Sequence, residues 1–212
     1  MKIFKKLLIA VTIVGACSTE SFAADVMISQ GVKSIDMDLN GEKFTIMRNQ
    51  TIGNKISSLY ETTNRGKPQP IILAEGLETL GELEFIEYMK KAQSDESIVI
   101  VDTRGSSWYD KLRIPGAINI PFTNFQTKES AISSMEYDLG IEVDDDGILD
   151  FTNAKTIVAY CNGYWCGQTP AMLKNVKYSL LNMGYPVSKI KYYRGGMQAW
   201  TSLGFTVVGT EK

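Results

Sequence analysis

The 212-residue chain contains no histidine. That excludes Ser-His-Asp and Cys-His catalysis, along with zinc sites built on imidazole. Cysteine is scarce, with three in the whole chain. Cys17 falls in an N-terminal leader, which leaves Cys161 and Cys166, too few for a four-thiolate metal site, and no metal or cofactor is expected. No basic stripe runs along any segment, which argues against nucleic acid as a partner. No apolar stretch beyond the leader approaches the length of a bilayer, so no transmembrane span is expected in the mature chain. Otherwise the composition is ordinary for a globular protein, 44% hydrophobic and 22% charged. Its length permits one well-buried α/β domain with an additional segment.

The leader reads as an export signal. Lys2, Lys5 and Lys6 precede the apolar run Leu7 to Ala16, and a short polar stretch ends in Ser21-Phe22-Ala23, with small residues at both positions a signal peptidase reads. Removal of residues 1–23 makes the protein periplasmic or otherwise exported. A second processing site competes with the first: Val14-Gly15-Ala16-Cys17 resembles a lipoprotein box with Cys17 as the acylated anchor. The leader holds three lysines and Glu20, a net +2, so its loss takes the formal charge from −2 to −4.

The remainder divides into two parts. Residues 24–77 read as a β-rich lead. In it Ile35, Met37 and Leu39 alternate with polar residues, Asn40-Gly41 intervenes, and Phe44 and Ile46 resume the alternation, a hairpin signature. Asn49 to Pro70 is polar and broken by Gly53, Gly66, Pro68 and Pro70, so it reads as a loop or a strap across the next domain, with no chemistry of its own. From residue 78 to the C-terminus, helical and strand patterns alternate. Leu80, Leu83, Ile86 and Met89 mark a helix face, and Ile98-Val99-Ile100-Val101 is an apolar run suited to a strand buried on both sides. A short strand at Ala117 to Ile120, a helix around Glu129 to Leu139, a strand at Thr156 to Tyr160 and a last strand at Ile190 to Tyr193 complete an α/β pattern. It predicts a parallel sheet with helices on both faces and a site at the carboxyl ends of the strands, where Asp102, Arg104 and Cys161 fall.

Cys161 is the residue with the most chemistry. It follows the Thr156 to Tyr160 strand and opens the loop Asn162-Gly163-Tyr164-Trp165-Cys166-Gly167. A helix is expected beyond it, with Thr169 as N-cap, Pro170 at the first position, Met172, Leu173, Val176, Leu180 and Met183 at helical spacing, and Gly184 as terminator. A sulfur at such a helix entry faces free backbone N–H groups and the positive end of a dipole, both of which favour a thiolate. Trp200 is expected in the core, and Gly195-Gly196 in a tight turn that brings the last strand's end close to the Cys161 loop. Asp144, Asp146, Gly147 and Asp150 partly imitate a calcium loop, but the ligand set is incomplete and a solvated acidic turn is expected.

Four pieces in order carry a family resemblance: Val99 to Arg104, Arg113-Ile114-Pro115-Gly116-Ala117-Ile118-Asn119-Ile120-Pro121, the Cys161 loop, and Tyr193-Arg194-Gly195-Gly196 through Trp200 to Leu203-Gly204. Over residues 78 to 208 the chain resembles a rhodanese domain, and the lead with its Cys161 loop is similar to exported bacterial single-domain members. The resemblance implies a sulfurtransferase. Cys161 would take sulfane sulfur from a small donor such as thiosulfate or polysulfide, hold it as a persulfide, and pass it to a thiol or protein acceptor. Asn162, Gly163, Tyr164, Trp165, Cys166 and Gly167 would form the backbone cradle. Asp102 and Arg104 would act either as a supporting pair or as a dry structural ion pair. Arg194 would help attract an anionic donor, and Arg113 either shares that role or is solvated surface.

The loop departs from the family in holding no Arg or Lys. Cys166 is a further departure. It is a resolving thiol, a disulfide partner of Cys161 or a buried free thiol. With a disulfide the chain becomes a noncatalytic or redox-responsive binding module that engages a partner through Tyr164 and Trp165; otherwise these aromatics close the pocket or pack against the lead. Gly167 stands where a phosphatase branch of the fold places arginine, which argues against phosphate-ester chemistry.

Overall fold

The lead opens with β1 (Ser34–Leu39) and β2 (Glu42–Met47), an antiparallel hairpin in which Leu39 pairs with Glu42. Asn40 and Gly41 between them have φ of 52° and 75°, the left-handed pair that a two-residue turn matched to strand twist requires. The computed structural model describes residues 25–61 and 66–210, so the leader over 1–23 lies outside the described residues.

One parallel sheet organises the rest of the chain. Its strands are β3 (Glu78–Leu80), β4 (Ile98–Asp102), a short β6 (Ile118–Asn119), β9 (Thr156–Tyr160) and β10 (Ile190–Tyr193), in the order β3-β10-β9-β4-β6. Peripheral short strands are β5 (Leu112–Arg113), paired antiparallel with β11 (Val208–Gly209), and the hairpin β7 (Glu142–Val143) and β8 (Leu149–Asp150). In that hairpin the Asp144 carboxylate accepts the N–H groups of Asp146 and Ile148 at 3.0 and 2.8 Å, so it closes a turn.

Side chains alternate across the sheet, as strand geometry demands. Ile100, Val158, Tyr160 and Tyr193 point to one core, where α1 (Glu82–Ala92) and α5 (Gly196–Ser202) supply Phe85, Met89, Met197 and Trp200. Val99, Val101, Ile157, Ala159 and Tyr192 point to the other, against Ala131, Met135 and Leu139 of α3 (Lys128–Leu139). A short α2 (Ser106–Lys111) follows β4. Thr127 caps α3 by accepting the Ser130 N–H at 3.2 Å, and Trp200 is fully buried as expected. The helix face anticipated from Leu80 and Leu83 is corrected: Leu80 lies in β3 and Leu83 is 48% exposed. Phe85, Ile86, Met89 and Ala92 form the buried stripe instead, because the short strand takes up the residues before Gly81.

The helix after the cysteine loop is also corrected. A single turn, α4 (Gln168–Pro170), passes into a π-helical stretch over Ala171–Asn175, and Val176 is extended. Gly167, not Thr169, is the N-cap residue. The apolar residues beyond Asn175 reach the core by turning back: the N–H groups of Leu180 and Leu181 donate to the carbonyls of Met172 and Leu173 at 2.9 and 3.1 Å, and the Asn182 amide donates to that of Val176 at 2.8 Å. The returning segment thus satisfies helix-end carbonyls that a longer helix would satisfy internally.

The lead shares the core of the domain. Met37, Leu39 and Ile46 pack in the same cluster as Phe85, Ile100 and Trp200. Ile46→Ala should therefore destabilise the whole protein by about 2–5 kcal/mol while leaving a single cooperative transition, which urea unfolding read by both fluorescence and circular dichroism checks.

Candidate active site

β9 ends at Tyr160 and β4 at Asp102, so Cys161 and the Asp102 to Arg104 segment emerge side by side at the carboxyl edge of the sheet. The Thr103 N–H donates to the Tyr160 carbonyl at 3.0 Å, which holds the two strand ends in register. The loop is pinned from its other side by α5: the N–H groups of Met197 and Gln198 donate to the carbonyls of Cys161 and Asn162, each at 2.9 Å. That approach depends on Gly196. Its φ is 52°, and a Cβ built there would stand 2.2 Å from the Cys161 carbonyl oxygen. The expected tight turn at Gly195-Gly196 is thus required by close contact. At Gly163 a Cβ would meet the Gln198 side chain at 2.7 Å, which explains the second glycine of the site.

Cys161 is 2% exposed, and both it and Cys166 are free thiols. Burial alone would raise a thiol's pKa. Here burial is outweighed by donors at the sulfur: the Cys166 thiol, the Thr169 hydroxyl, and the N–H groups of Thr169 and Gly163, which together lower Cys161 to about 7. Cys166 moves the other way. Its hydrogen bond to Cys161 and its own burial hold its proton firmly on. In the thiol form, Cys161 Sγ donates to the Cys166 carbonyl at 3.5 Å.

The cradle is therefore made of a few discrete groups. Of the loop amides, that of Gly163 reaches Cys161, and those of Asn162 and Gln168 reach Cys166. The Cys166 N–H instead closes a turn on the Gly163 carbonyl at 2.9 Å. Thr169, expected as a helix cap, turns its hydroxyl inward, 2.8 Å from that of Thr103; when Thr169 donates to Cys161, the Thr103 hydroxyl donates to Thr169 rather than to the Tyr160 carbonyl 3.0 Å away. The inward role of Thr169 went unrecognised in the sequence because a threonine near a helix start is more simply read as a cap, and Thr103 was passed over between the charged Asp102 and Arg104.

Asp102 and Arg104 are wholly buried and form a two-point ion pair, with Nη2 to Oδ2 at 2.6 Å and Nε to Oδ1 at 2.9 Å. Burial works against the guanidinium's charge, but the Asp102 carboxylate outweighs it and keeps Arg104 more firmly protonated than usual. Arg104 also donates to the Leu112 carbonyl at 2.6 Å, to the Tyr60 hydroxyl at 2.7 Å and to Asn162 Oδ1 at 3.3 Å. The pair thus meets the loop at Asn162, the residue next to the one that bears the sulfur.

Arg194 is half-buried at the rim. Its Nε donates to the Gln69 carbonyl at 2.8 Å, and its guanidinium lies 5.1 Å over the Tyr164 ring. With Gly66, Pro68, Tyr164, Trp165 and Gln198 it lines a cleft of about 250 Å³ beside the loop. Tyr164 is 38% exposed and Trp165 half-buried. Arg113 stands away, paired with Glu42 at 3.4 Å and 4.8 Å over the Tyr109 ring.

A parallel α/β sheet that sets a buried, acidified cysteine at a strand end defines a domain fitted for thiolate chemistry. Its sequence specifies which one: residues 85–203, more than half the chain, match the rhodanese-like domain, and the chain belongs to that family. Among solved structures it is similar to the BH2092 protein of Bacillus halodurans, at 24% identity over 64% of this chain and 79% of that one, with a TM-score of 0.42. It is similar also to a thiosulfate sulfurtransferase from Pseudomonas aeruginosa, at 19% identity over 63% of this chain and 20% of that one, TM-score 0.40. A third is RPA3614 from Rhodopseudomonas palustris, described as a possible tyrosine phosphatase, at 23% identity over 68% of this chain and 100% of that one, TM-score 0.38. A search of curated proteins finds no match.

Two outcomes are expected of the site. Alkylation of Cys161, followed by the mass of its peptide, should rise about tenfold per pH unit below 7 and level off above it, with Cys166 unlabelled in the same protein because Cys161 and burial keep its proton on. Arg104→Met, which strands the buried Asp102 carboxylate, should cost about 3–5 kcal/mol in denaturant unfolding.

Proposed function

We propose that this protein is an exported sulfurtransferase in which Cys161 carries sulfane sulfur as a persulfide. The observation that carries the reading is the lowered Cys161 thiol, held by neutral donors inside a rhodanese-like domain. The thiolate attacks the outer sulfur of a donor such as thiosulfate. The Cys161–S bond forms as the donor's S–S bond breaks, and sulfite leaves with the bonding pair. An acceptor thiolate then attacks the outer sulfur of the persulfide, which yields the acceptor's persulfide and returns Cys161 as thiolate. The thiolate is stabilised by donors from Gly163, Thr169 and Cys166. Arg194, at the cleft rim, supplies the cation that the loop lacks and draws in an anionic donor.

While Cys161 is a thiolate, the proton held on Cys166 makes this residue a hydrogen-bond donor to that sulfur. Gly167, in place of a phosphate-gripping arginine, supports sulfur over phosphate chemistry. Export rests on the leader residues Lys2 to Ala23, with anchoring through Cys17 as the other fate of the same segment.

Incubation of the reduced, leader-free protein with thiosulfate or polysulfide should add one sulfur atom to the intact mass, retained in Cys166→Ser and lost in Cys161→Ser. No gain with either donor, together with a Cys161–Cys166 disulfide in the protein isolated from its host, would sink the transferase and favour a redox-responsive binding module.

A further inference from the structure

The loop that holds Cys161 is braced by a segment outside the matched domain. Tyr60 belongs to the strap that follows the lead's hairpin, and it is 3% exposed. Its hydroxyl accepts from Arg104 Nη1 at 2.7 Å and donates to Asn162 Oδ1 at 3.2 Å. Its ring packs 6.3 Å from that of Trp108. A few residues on, Gln69 donates its backbone N–H to the Tyr164 carbonyl at 2.7 Å and its side-chain amide to the Trp165 carbonyl at 3.3 Å.

Asn162 directly follows Cys161, so its side chain and its peptide to Gly163 set the course of the loop as it leaves the sulfur. Two anchors fix that peptide. The Asn162 carbonyl accepts the Gln198 N–H at 2.9 Å, and the Asn162 side chain is held by Tyr60 and, at a longer 3.3 Å, by Arg104. Loss of the Tyr60 hydroxyl would leave the Asn162 side chain on the longer Arg104 bond alone and would loosen the peptide that leads from the sulfur into Gly163. The Arg104 guanidinium would also lose a partner inside a dry site, which increases the drive for rearrangement.

We infer that Tyr60, from outside the matched domain, is a positioning residue that sets the reactivity of Cys161 through Asn162. The inference rests on the reading of Cys161 as nucleophile. It assigns a chemical task to a segment whose sequence shows only turn residues and polarity, and it makes the site sensitive to anything that lifts the strap.

The test is the pH profile of Cys161 alkylation, measured on the reduced, leader-free protein with its lead intact. It compares wild type, Tyr60→Phe, Asn162→Ala and the double variant, each checked by thermal unfolding. Phenylalanine keeps the ring packing against Trp108 and removes only the hydroxyl. Tyr60→Phe should move the midpoint upward by about 1 in pH, so that the reactive fraction at pH 7 falls about fivefold. Asn162→Ala, which removes the bonds from both Tyr60 and Arg104, should shift it at least as far, and the double variant should add nothing beyond Asn162→Ala, because Tyr60 acts through Asn162. A Tyr60→Phe profile that superimposes on wild type overturns the inference, as does a double variant whose shift is the sum of the singles. Should Tyr60→Phe fail to fold, Asn162→Ala decides alone: an unchanged profile overturns the inference. Alkylation needs no sulfur donor, so a shifted profile in a protein that gains no sulfur would sink the transferase reading and leave the positioning role standing.

Discussion

A buried guanidinium is the constraint around which the site is arranged. Arg104 is wholly inside, and a charge in that position is tolerated only when it is paired and every N–H finds an acceptor. Its five donors are met by the Asp102 carboxylate, the Leu112 carbonyl, the Tyr60 hydroxyl and the Asn162 amide oxygen. Those acceptors come from the end of β4, from β5, from the lead and from the loop after β9. One side chain therefore ties together four segments drawn from the lead, from β4 and β5, and from the loop after β9. Of the two roles open to Asp102 and Arg104 from sequence, the geometry combines them: the pair is dry and structural, and its outer donors brace the loop that carries the thiol.

The thiol is governed by the same economy of buried polar groups. Water is excluded from Cys161, so each neighbouring donor acts in a medium of low dielectric, where its effect is larger than in solution. Desolvation raises the pKa and the donors lower it, and the balance falls at about 7 because four donors converge on one sulfur. The helix dipole contributes less than the sequence suggests. α4 is one turn long and runs into a π-helical stretch, so the aligned peptide dipoles of a long helix are not behind the sulfur. What a long helix would supply as a field is supplied here by Thr169 and Gly163 as specific hydrogen bonds.

The arginine and the thiol together mark what could be read in the chain and what could not. Local signals succeeded: Asn40-Gly41 between alternating runs gave the hairpin, and Ile98 to Val101 gave a central strand, because turn conformation and strand burial are set by a few adjacent residues. The strand-end position of Cys161, Asp102 and Arg104 followed from the same logic. Helix length after the loop failed, because Leu180 and Met183 keep helical spacing while their backbone turns back onto Met172 and Leu173, a tertiary choice that periodicity does not encode. Tyr60 and Gln69 were invisible for a related reason. Their role depends on where a polar strap crosses the domain, and nothing within Asn49 to Pro70 states its destination.

The residues before the matched domain also bear on how the proposed site would work without a cation in its loop. A charged loop would attract an anionic donor over long range, but it would also need counter-charges or solvent once closed. Here the loop is neutral and its donors are dipoles, which cost little to bury once they are satisfied. The neighbouring fixed charges are kept to its margins: Arg104 neutralised by Asp102 beneath the loop, and Arg194 at the rim, held by Gln69 and faced by Tyr164. Gln69 ties that rim cation to the same strap that carries Tyr60. On the proposed reading, the residue that holds the attracting charge and the residue that braces the loop behind the thiol both lie before the matched domain, so the lead bears on donor capture through Gln69 and on sulfur reactivity through Tyr60.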